Sequence, residues 1–203
     1  MISVKKKAPL KSFEDFVRRE KPKDWSEIHA KEKYPNLYRD TKAALVEEQG
    51  DVSPYTEEPL PKESRNAHID HFCKRSFFPN LTFEWNNLFV DSLSENYGAK
   101  FKDKKIKKED YALLISPTEK NVERFFSYME NGEIVVAKGL SPQDEKRVAF
   151  TIEMFNLTDP GLISRRQRVI KTVNDYSNLT PDEIRDALQK LGFRTVVEYA
   201  LKL

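Results

Sequence analysis

Prolines limit the length of every regular element that this chain can form. Eleven prolines are spread over its 203 residues. Because proline lacks a backbone N–H and clashes with the preceding helical turn, helices and central strands must fit between these positions. Pro22 and Pro35 divide the first helical region, and three prolines between positions 54 and 61 predict a loop. We therefore expect a chain of short elements.

The apolar pattern predicts an α+β protein that is mostly helical. Residues 9–50 have helical spacing and end at Gly50, a common C-terminal signal. Ser141-Pro142 and Thr180-Pro181 are favoured helix starts, because a capping residue directly precedes a proline. They predict helices over 142–155 and from 181 onward, and the Asp159-Pro160-Gly161 segment predicts a break before a basic helix over 162–173. We also expect short extended segments over 67–72, 77–90 and 133–137, and short helices within 91–108 and 119–128.

The predicted elements divide the chain into three segments. Residues 1–50 form an N-terminal helical segment, residues 51–110 hold a small hairpin core, and residues 111–203 form a C-terminal helical region. The last of these ends in the apolar run 196–201, and chain ends are usually polar unless something covers them. The run either packs on its own domain or docks to a partner, and we favour the partner.

Composition excludes two classes of protein. A single cysteine, Cys73, rules out an internal disulfide, and no apolar run approaches the roughly 20 residues that span a bilayer. The first residues carry positive charges without a following apolar segment, so they do not resemble a secretory signal. We expect a cytoplasmic protein without a membrane partner.

Two basic runs are candidates for binding nucleic acid. The formal net charge is only +2, so the distribution of charge matters more than its sum. Basic runs bind phosphates by releasing counterions. The candidate residues are Lys100, Lys102, Lys104, Lys105, Arg165 and Arg166. An ordinary solvated loop and helix face explain each run equally well.

The segment His68-Ile69-Asp70-His71 carries the clearest chemical signal. It holds two of the three histidines of the chain. On a strand, Asp70 and His71 point to opposite sides. A carboxylate suits a hard cation such as Mg²⁺ or Mn²⁺, and a histidine suits a general base. Together they predict metal-assisted hydrolysis of a phosphodiester.

An asparagine pair follows at a distance that suits a returning strand. Asn87 is placed to accept a hydrogen bond from the His71 ring and to fix its tautomer. Two histidines, an aspartate and a downstream asparagine form only a moderately specific pattern. A surface strand whose histidines have no function is an equally good interpretation of the pattern alone.

The same residues resemble a known family. Ala67-His-Ile-Asp-His-Phe72, followed by Phe78-Pro-Asn-Leu-Thr-Phe-Glu-Trp-Asn-Asn-Leu88, resembles the core of the PtuB-type HNH nucleases, with their H-I-E-H-F-R-P-K and L-x-F-x-W-N-N-L segments. Further similar pieces occur in order over roughly residues 1–173: Leu45–Gly50, Ile115–Pro117, Asn121–Phe125 and Thr151–Leu157. Several weak motifs in order are more specific than one.

The resemblance implies a fold, an activity and partners. It implies a ββα-metal hairpin core and a metal-dependent endonuclease that cleaves DNA or tRNA. His71, Asn87 and His68 would form the catalytic set, although His68 is equally well a bystander. The implied partners are a PtuA-type ATPase of an anti-phage defence system and, in retron systems, a reverse transcriptase with its msDNA.

The chain departs from this family at two places. The cysteine pairs that hold structural zinc are absent, since the first reads Ser53-Pro-Tyr-Thr56 and the second lies around Ser92 and Asn96. We therefore expect no structural zinc. A family histidine is replaced by Ala99, which leaves Asn96 as the candidate second metal ligand beside Asp70.

These departures leave two hypotheses open. The first is an active HNH nuclease effector, which the intact Asp70, His71 and Asn87 favour. The second is a degenerate HNH fold that only scaffolds the same complex, which the missing cysteines favour. A general DNA repair nuclease has no distinguishing feature here, and we find no P-loop.

Overall fold

The computed structural model describes residues 1–29, 32–61 and 65–203. Its elements are α1 (Lys11–Glu20), α2 (Leu37–Glu48), β1 (Ala67–His71), β2 (Leu88–Ser92), α3 (Ala99–Lys105), β3 (Phe126–Tyr128), β4 (Ile134–Val136), α4 (Pro142–Met154), α5 (Pro160–Asp175), α6 (Pro181–Leu188) and α7 (Arg194–Ala200). Strands β1 and β2 form one antiparallel pair, and β3 and β4 form another. The predicted α+β class, with helices predominating, is confirmed.

The predicted starts of α4 and α6 are confirmed, while α5 begins at Pro160, two residues before the predicted start and inside the predicted break. The Ser141 side chain accepts a hydrogen bond from the backbone N–H of Asp144 at the start of α4. Asp159 caps α5 in a similar way. Thr180 forms a reciprocal capping box with Glu183 at the start of α6. In each case the cap satisfies backbone donors that have no partner within the helix.

Two predicted segments have a different structure. Residues 77–90 are not one extended stretch, since short 3₁₀ turns cover Pro79–Leu81 and Trp85–Asn87 before β2 begins. Residues 119–128 do not form an α-helix, because a short 3₁₀ turn leads directly into β3. Pairing of β3 with β4 across the turn at Asn131-Gly132 outweighs the local helical pattern.

The β1–β2 hairpin lies between two hydrophobic cores. Ile69 pairs with Val90, and both belong to the core that buries the apolar faces of α1 and α2. Phe89, which points the other way, belongs to the larger core with Tyr55 and the C-terminal helices. Since strand side chains alternate between faces, one hairpin serves both cores. The cores therefore cross the boundaries of the three predicted segments.

The apolar C-terminal run packs on its own domain. Val196, Val197 and Ala200 of α7 are buried in the larger core. Thr195 donates hydrogen bonds from its backbone N–H and its hydroxyl to the buried carboxylate of Glu57. The expectation that favoured a partner for this run is therefore wrong. The apolar residues are covered by the chain itself.

The helices of the described residues do not have the length and apolar character needed to cross a bilayer.

Candidate functional site

A cleft of about 450 Å³ opens beside the C-terminal end of β1. It brings together the end of the strand, the loop that follows it and helix α3. Its charged and titratable lining residues are Lys23, Asp24, His68, Asp70, His71, Lys74, Arg75 and Asp103. The cleft therefore contains the predicted histidine and aspartate, together with residues that the sequence did not single out.

His71 is held as a neutral base at the wall of this cleft. Its Nε2 lies 2.9 Å from the carbonyl oxygen of Thr82. Because a carbonyl only accepts hydrogen bonds, Nε2 carries the proton and Nδ1 keeps a free lone pair. Nδ1 has no hydrogen-bond partner among the described residues. The imidazole and the ring of Trp25 pack edge to face, with 4.6 Å between the ring centroids.

Burial sets the protonation state of this histidine. Desolvation lowers the pKa of His71 to about 4, although the nearby Asp70 carboxylate opposes part of the shift. The imidazole is therefore neutral at physiological pH. A neutral ring with one nitrogen anchored and the other free can accept a proton from a water or a hydroxyl.

Asp70 contacts a different set of residues on the other side of β1. Its carboxylate is buried, and Oδ2 accepts a hydrogen bond of 2.7 Å from the hydroxyl of Tyr55. The ammonium of Lys102 lies 3.8 Å from the same oxygen. The opposite directions of Asp70 and His71 agree with the strand alternation expected from the sequence.

Asn87 does not make the predicted hydrogen bond to His71. Its Oδ1 accepts from the backbone N–H of Cys73 at 2.7 Å, and its Nδ2 donates to the carbonyls of Cys73 and Leu81, each at 3.1 Å. The amide thus ties the loop after β1 to the segment that ends at Thr82. Asn87 positions His71 only indirectly, because Thr82 supplies the carbonyl that anchors the ring.

Lys102 is a buried cation behind the cleft and not a surface contact. Its side chain is fully buried, and Nζ donates to the carbonyls of His71 at 3.2 Å and Phe72 at 2.7 Å. The same ammonium lies 3.0 Å from Oδ1 of Asp103. Burial alone would lower the pKa of Lys102, but Asp70 and Asp103 raise it above its usual value. The prediction that Lys102 binds nucleic acid is wrong.

Asp103 is a further carboxylate of the cleft, besides Asp70 and Asp24, and the sequence prediction missed it. Burial raises the pKa of Asp103, while the Lys102 ammonium partly opposes that shift. Helical spacing offered a signal, since positions 99 and 103 share a face of α3 and Ala99 is buried. A carboxylate on that face lies at the edge of the core, where the cleft opens.

Asn96, the predicted second metal ligand, lies elsewhere. It is exposed in the turn before α3, and its backbone carbonyl accepts a hydrogen bond from Asn156. It does not line the cleft that contains Asp70. The turn places its side chain at the surface, so the assignment of Asn96 as a ligand beside Asp70 is wrong.

His68 does line the cleft. Its Nδ1 atom is buried and has no hydrogen-bond partner among the described residues. A buried ring nitrogen without a partner is costly unless a ligand or a water completes its hydrogen bond. His68 is therefore part of the cleft, and its role stays a prediction.

The other predicted nucleic-acid contacts do not line the cleft. Arg166 is buried and donates to the carbonyl of Leu157 at 2.8 Å, so its assignment as a contact is wrong. Lys100 and Lys104 each lie 2.7 Å from a carboxylate oxygen of Glu95. The remaining two have partners as well: Lys105 lies over the ring of Phe101 and Arg165 is 3.1 Å from Glu58.

A hydrogen-bond network joins the loop at Ser53 to the end of β2 and the start of α3. The Ser53 hydroxyl donates to Oδ1 of Asp91, and the backbone N–H of Ala99 donates to Oδ2, each at 2.7 Å. Ser53 Oγ also accepts from the backbone N–H groups of Tyr55 and Thr56, each at 3.2 Å. Burial raises the pKa of Asp91 to about 6.

Gly98 fits closely against this network. It adopts a φ of 77°, and a Cβ atom at this position would lie 2.3 Å from Oδ2 of Asp91. Both the backbone conformation and the available space therefore require glycine.

The donor chemistry of the cleft suits a hard cation. Among the described residues, no three His, Cys, Asp or Glu side chains converge into a metal-binding group. Asp70 and Asp103 nevertheless face the same cleft, and Mg²⁺ is often held by one or two carboxylates, with water and substrate phosphate completing the shell. The adjacent Lys102 ammonium compensates one of the two negative charges.

Comparison of the chain with known protein families and with curated proteins finds no match.

Proposed function

We propose that this chain is a phosphodiester hydrolase of the HNH type, with His71 as its general base. One observation carries the proposal. A neutral histidine with a free ring nitrogen shares a cleft with three carboxylates: Asp70 on β1, Asp103 on the helix that follows the β1–β2 hairpin, and the exposed Asp24. Hydrolysis needs a base that activates the attacking water. It also needs a positive charge that stabilises the leaving oxygen, and carboxylates can hold the cation that supplies it.

In this proposal each group of the cleft has a separate task. His71 accepts a proton from the attacking water at Nδ1, while the Thr82 carbonyl holds the ring through Nε2. Asn87 keeps the loop between them in place. Asp70 and Asp103 would hold a divalent cation, Mg²⁺ or Mn²⁺, which supplies positive charge to the phosphate when bound.

The resemblance to PtuB-type nucleases suggests a biological setting. In that setting the chain is a cytoplasmic effector that cleaves DNA or tRNA within an anti-phage complex. A PtuA-type ATPase would be the partner, with a retron reverse transcriptase and its msDNA in some systems. The ordered motifs over roughly residues 1–173 support this part of the proposal.

One observation favours a second candidate function. The buried ammonium of Lys102 contacts the same carboxylates that would bind the cation. A site that has replaced a metal by an internal lysine would have lost catalysis and kept its fold. The chain would then be a scaffold subunit of the same complex.

Cleavage assays separate the two candidates. The purified chain, alone and co-purified with its native partners, is incubated with plasmid DNA and with total tRNA in Mg²⁺ or Mn²⁺. We expect cleavage, and we expect His71→Gln to slow it about a hundredfold or more because the general base is lost. Far-ultraviolet circular dichroism verifies that the variant is folded.

The third histidine provides a matched control. His29 is exposed outside the cleft and packs on Tyr38, with 4.5 Å between the ring centroids. His29→Gln should cleave at the wild-type rate. Cleavage by His71→Gln at the wild-type rate would overturn the site. No cleavage by the wild-type complex under any of these conditions would favour the scaffold.

A further inference from the structure

The basic residues at the mouth of the cleft differ in their ion pairing from the residues that the sequence predicted as nucleic-acid contacts. Arg75 is exposed, lines the cleft and has no ion pair or hydrogen bond among the described residues. The side chain of Lys23, also exposed on the lining, has none either. By contrast, Lys100, Lys104 and Arg165 are paired with carboxylates of the protein. Only unpaired cations are free to neutralise a ligand without first breaking an ion pair.

The loop that carries Arg75 is held in place. Asn87 fixes Cys73 through both its backbone N–H and its carbonyl. Lys74 donates from Nζ to the carbonyl of Asp103 at 2.7 Å, and its own carbonyl accepts from the N–H groups of two following residues. The backbone of Arg75 is therefore placed at the cleft before any ligand arrives, which lowers the entropic cost of binding.

Arg75 lies close enough to act on both sides of the cleft mouth. Its charge contributes to lowering the pKa of His71 on one side. On the other side it contributes to lowering the pKa of Asp24, after the larger effect of the hydrogen bonds from Ser26. A guanidinium near a general base can hold the group on which the base acts. The Asp24 carboxylate, which also lines the cleft, partly neutralises the charge of the Arg75 guanidinium.

We propose that Arg75, assisted by Lys23, binds a backbone phosphate of the nucleic acid that enters the cleft, and that Asp24 opposes this binding. The inference rests on the proposed function, because it assigns the substrate contact of the same site. Arginine suits the task, since its planar guanidinium binds two phosphate oxygens at once and keeps its charge at every relevant pH.

Binding without cleavage tests the proposal. A fluorescein-labelled DNA of about 20 nucleotides, single-stranded or duplex, is titrated with the full chain in EDTA. Anisotropy is measured between about 50 and 200 mM salt, a range over which the salt dependence of phosphate binding is resolved. We expect Arg75→Gln to weaken binding about tenfold at low salt and to reduce the salt slope by about 1. Asp24→Asn, which keeps the side-chain oxygen that accepts from Ser26, should tighten binding about threefold.

A second arginine provides the control. Arg39 is exposed on α2, lies outside the lining of the cleft and pairs with Asp40. Arg39→Gln should bind like the wild type. An equal loss in Arg39→Gln, or unchanged affinity in either Arg75→Gln or Asp24→Asn, would overturn the proposal.

The experiment also separates this inference from the proposed function. If Arg75→Gln binds DNA as tightly as the wild type, the phosphate contact is overturned. Cleavage that depends on His71 would still support the hydrolase. Absence of any binding by the wild-type chain overturns the phosphate contact. The cleavage assay with His71→Gln then decides the hydrolase by itself.

Discussion

Replacing Lys102 by methionine should destabilise the protein by about 3 kcal/mol. Methionine keeps most of the side-chain volume but removes the ammonium. Two backbone carbonyls, of His71 and Phe72, then lose their donor, and Asp103 loses its ion pair. Removing one partner of a buried ion pair typically costs about 3–5 kcal/mol.

The lower end of this range applies for two structural reasons. The Asp103 side chain is 33% exposed, so water solvates part of its charge once the ammonium is gone. Asp70 keeps the hydrogen bond from Tyr55. A loss of about 3 kcal/mol should leave the protein folded at neutral pH, because native domains have stabilities of about 5–15 kcal/mol.

Urea unfolding at pH 7, followed by tryptophan fluorescence, measures the loss. Trp25 packs on His71, so its emission reports on the wall of the cleft. Lys104→Met, on the same helix but 57% exposed, is the matched control and should change stability by less than about 0.5 kcal/mol. The double variant Lys102→Met/Asp103→Asn should recover about 1 kcal/mol, because the unpaired charge is removed. A loss below about 1 kcal/mol in Lys102→Met would refute this account of the buried cation.

Three further predictions follow from the site and its supports. Because the folded pKa of His71 is about 4 and its usual value is 6.5, the unfolded chain binds more protons in this window. The contribution of His71 to stability should therefore rise by about 3 kcal/mol from pH 4 to 6.5, while Asp91, whose pKa is raised to about 6, acts in the opposite direction. Urea unfolding of the wild type and of His71→Gln at both pH values isolates the His71 contribution as the difference between the two proteins. Gly98→Ala should lower the midpoint of thermal unfolding by several degrees, since its Cβ would collide with Asp91; an unchanged midpoint would contradict the close fit. Deleting residues 192–203 should unfold the chain, because Val196 and Val197 lie in the larger core, and a folded truncated protein, seen by circular dichroism, would disprove this.

Local signals were enough to predict the helix starts and the direction of the two key side chains. A capping residue before proline acts within a few residues, so the starts of α4 and α6 could be predicted from the sequence. The same signal at Asp159 was taken for a break because Gly161 follows, although Asp159 caps α5. Strand alternation is equally local. It separated Asp70 from His71 before their different contacts were known.

The partners of these side chains could not be predicted, since they depend on how distant segments pack. The chain between β1 and β2 forms turns, and this brings Thr82 rather than Asn87 to the ring of His71. Lys102 was assigned with its neighbours to a basic run, although its spacing from Ala99 places both on the buried face of α3. Its burial follows from the packing of that helix behind the hairpin.

The contact between Glu57 and Thr195 also has a consequence for biosynthesis. These residues are 138 positions apart, and Glu57 belongs to the same loop as Tyr55, whose hydroxyl holds Asp70. Contacts of such long sequence separation form late, because the intervening chain must first be ordered. A nascent chain on the ribosome therefore lacks the support of its acidic group until the last helix has been made.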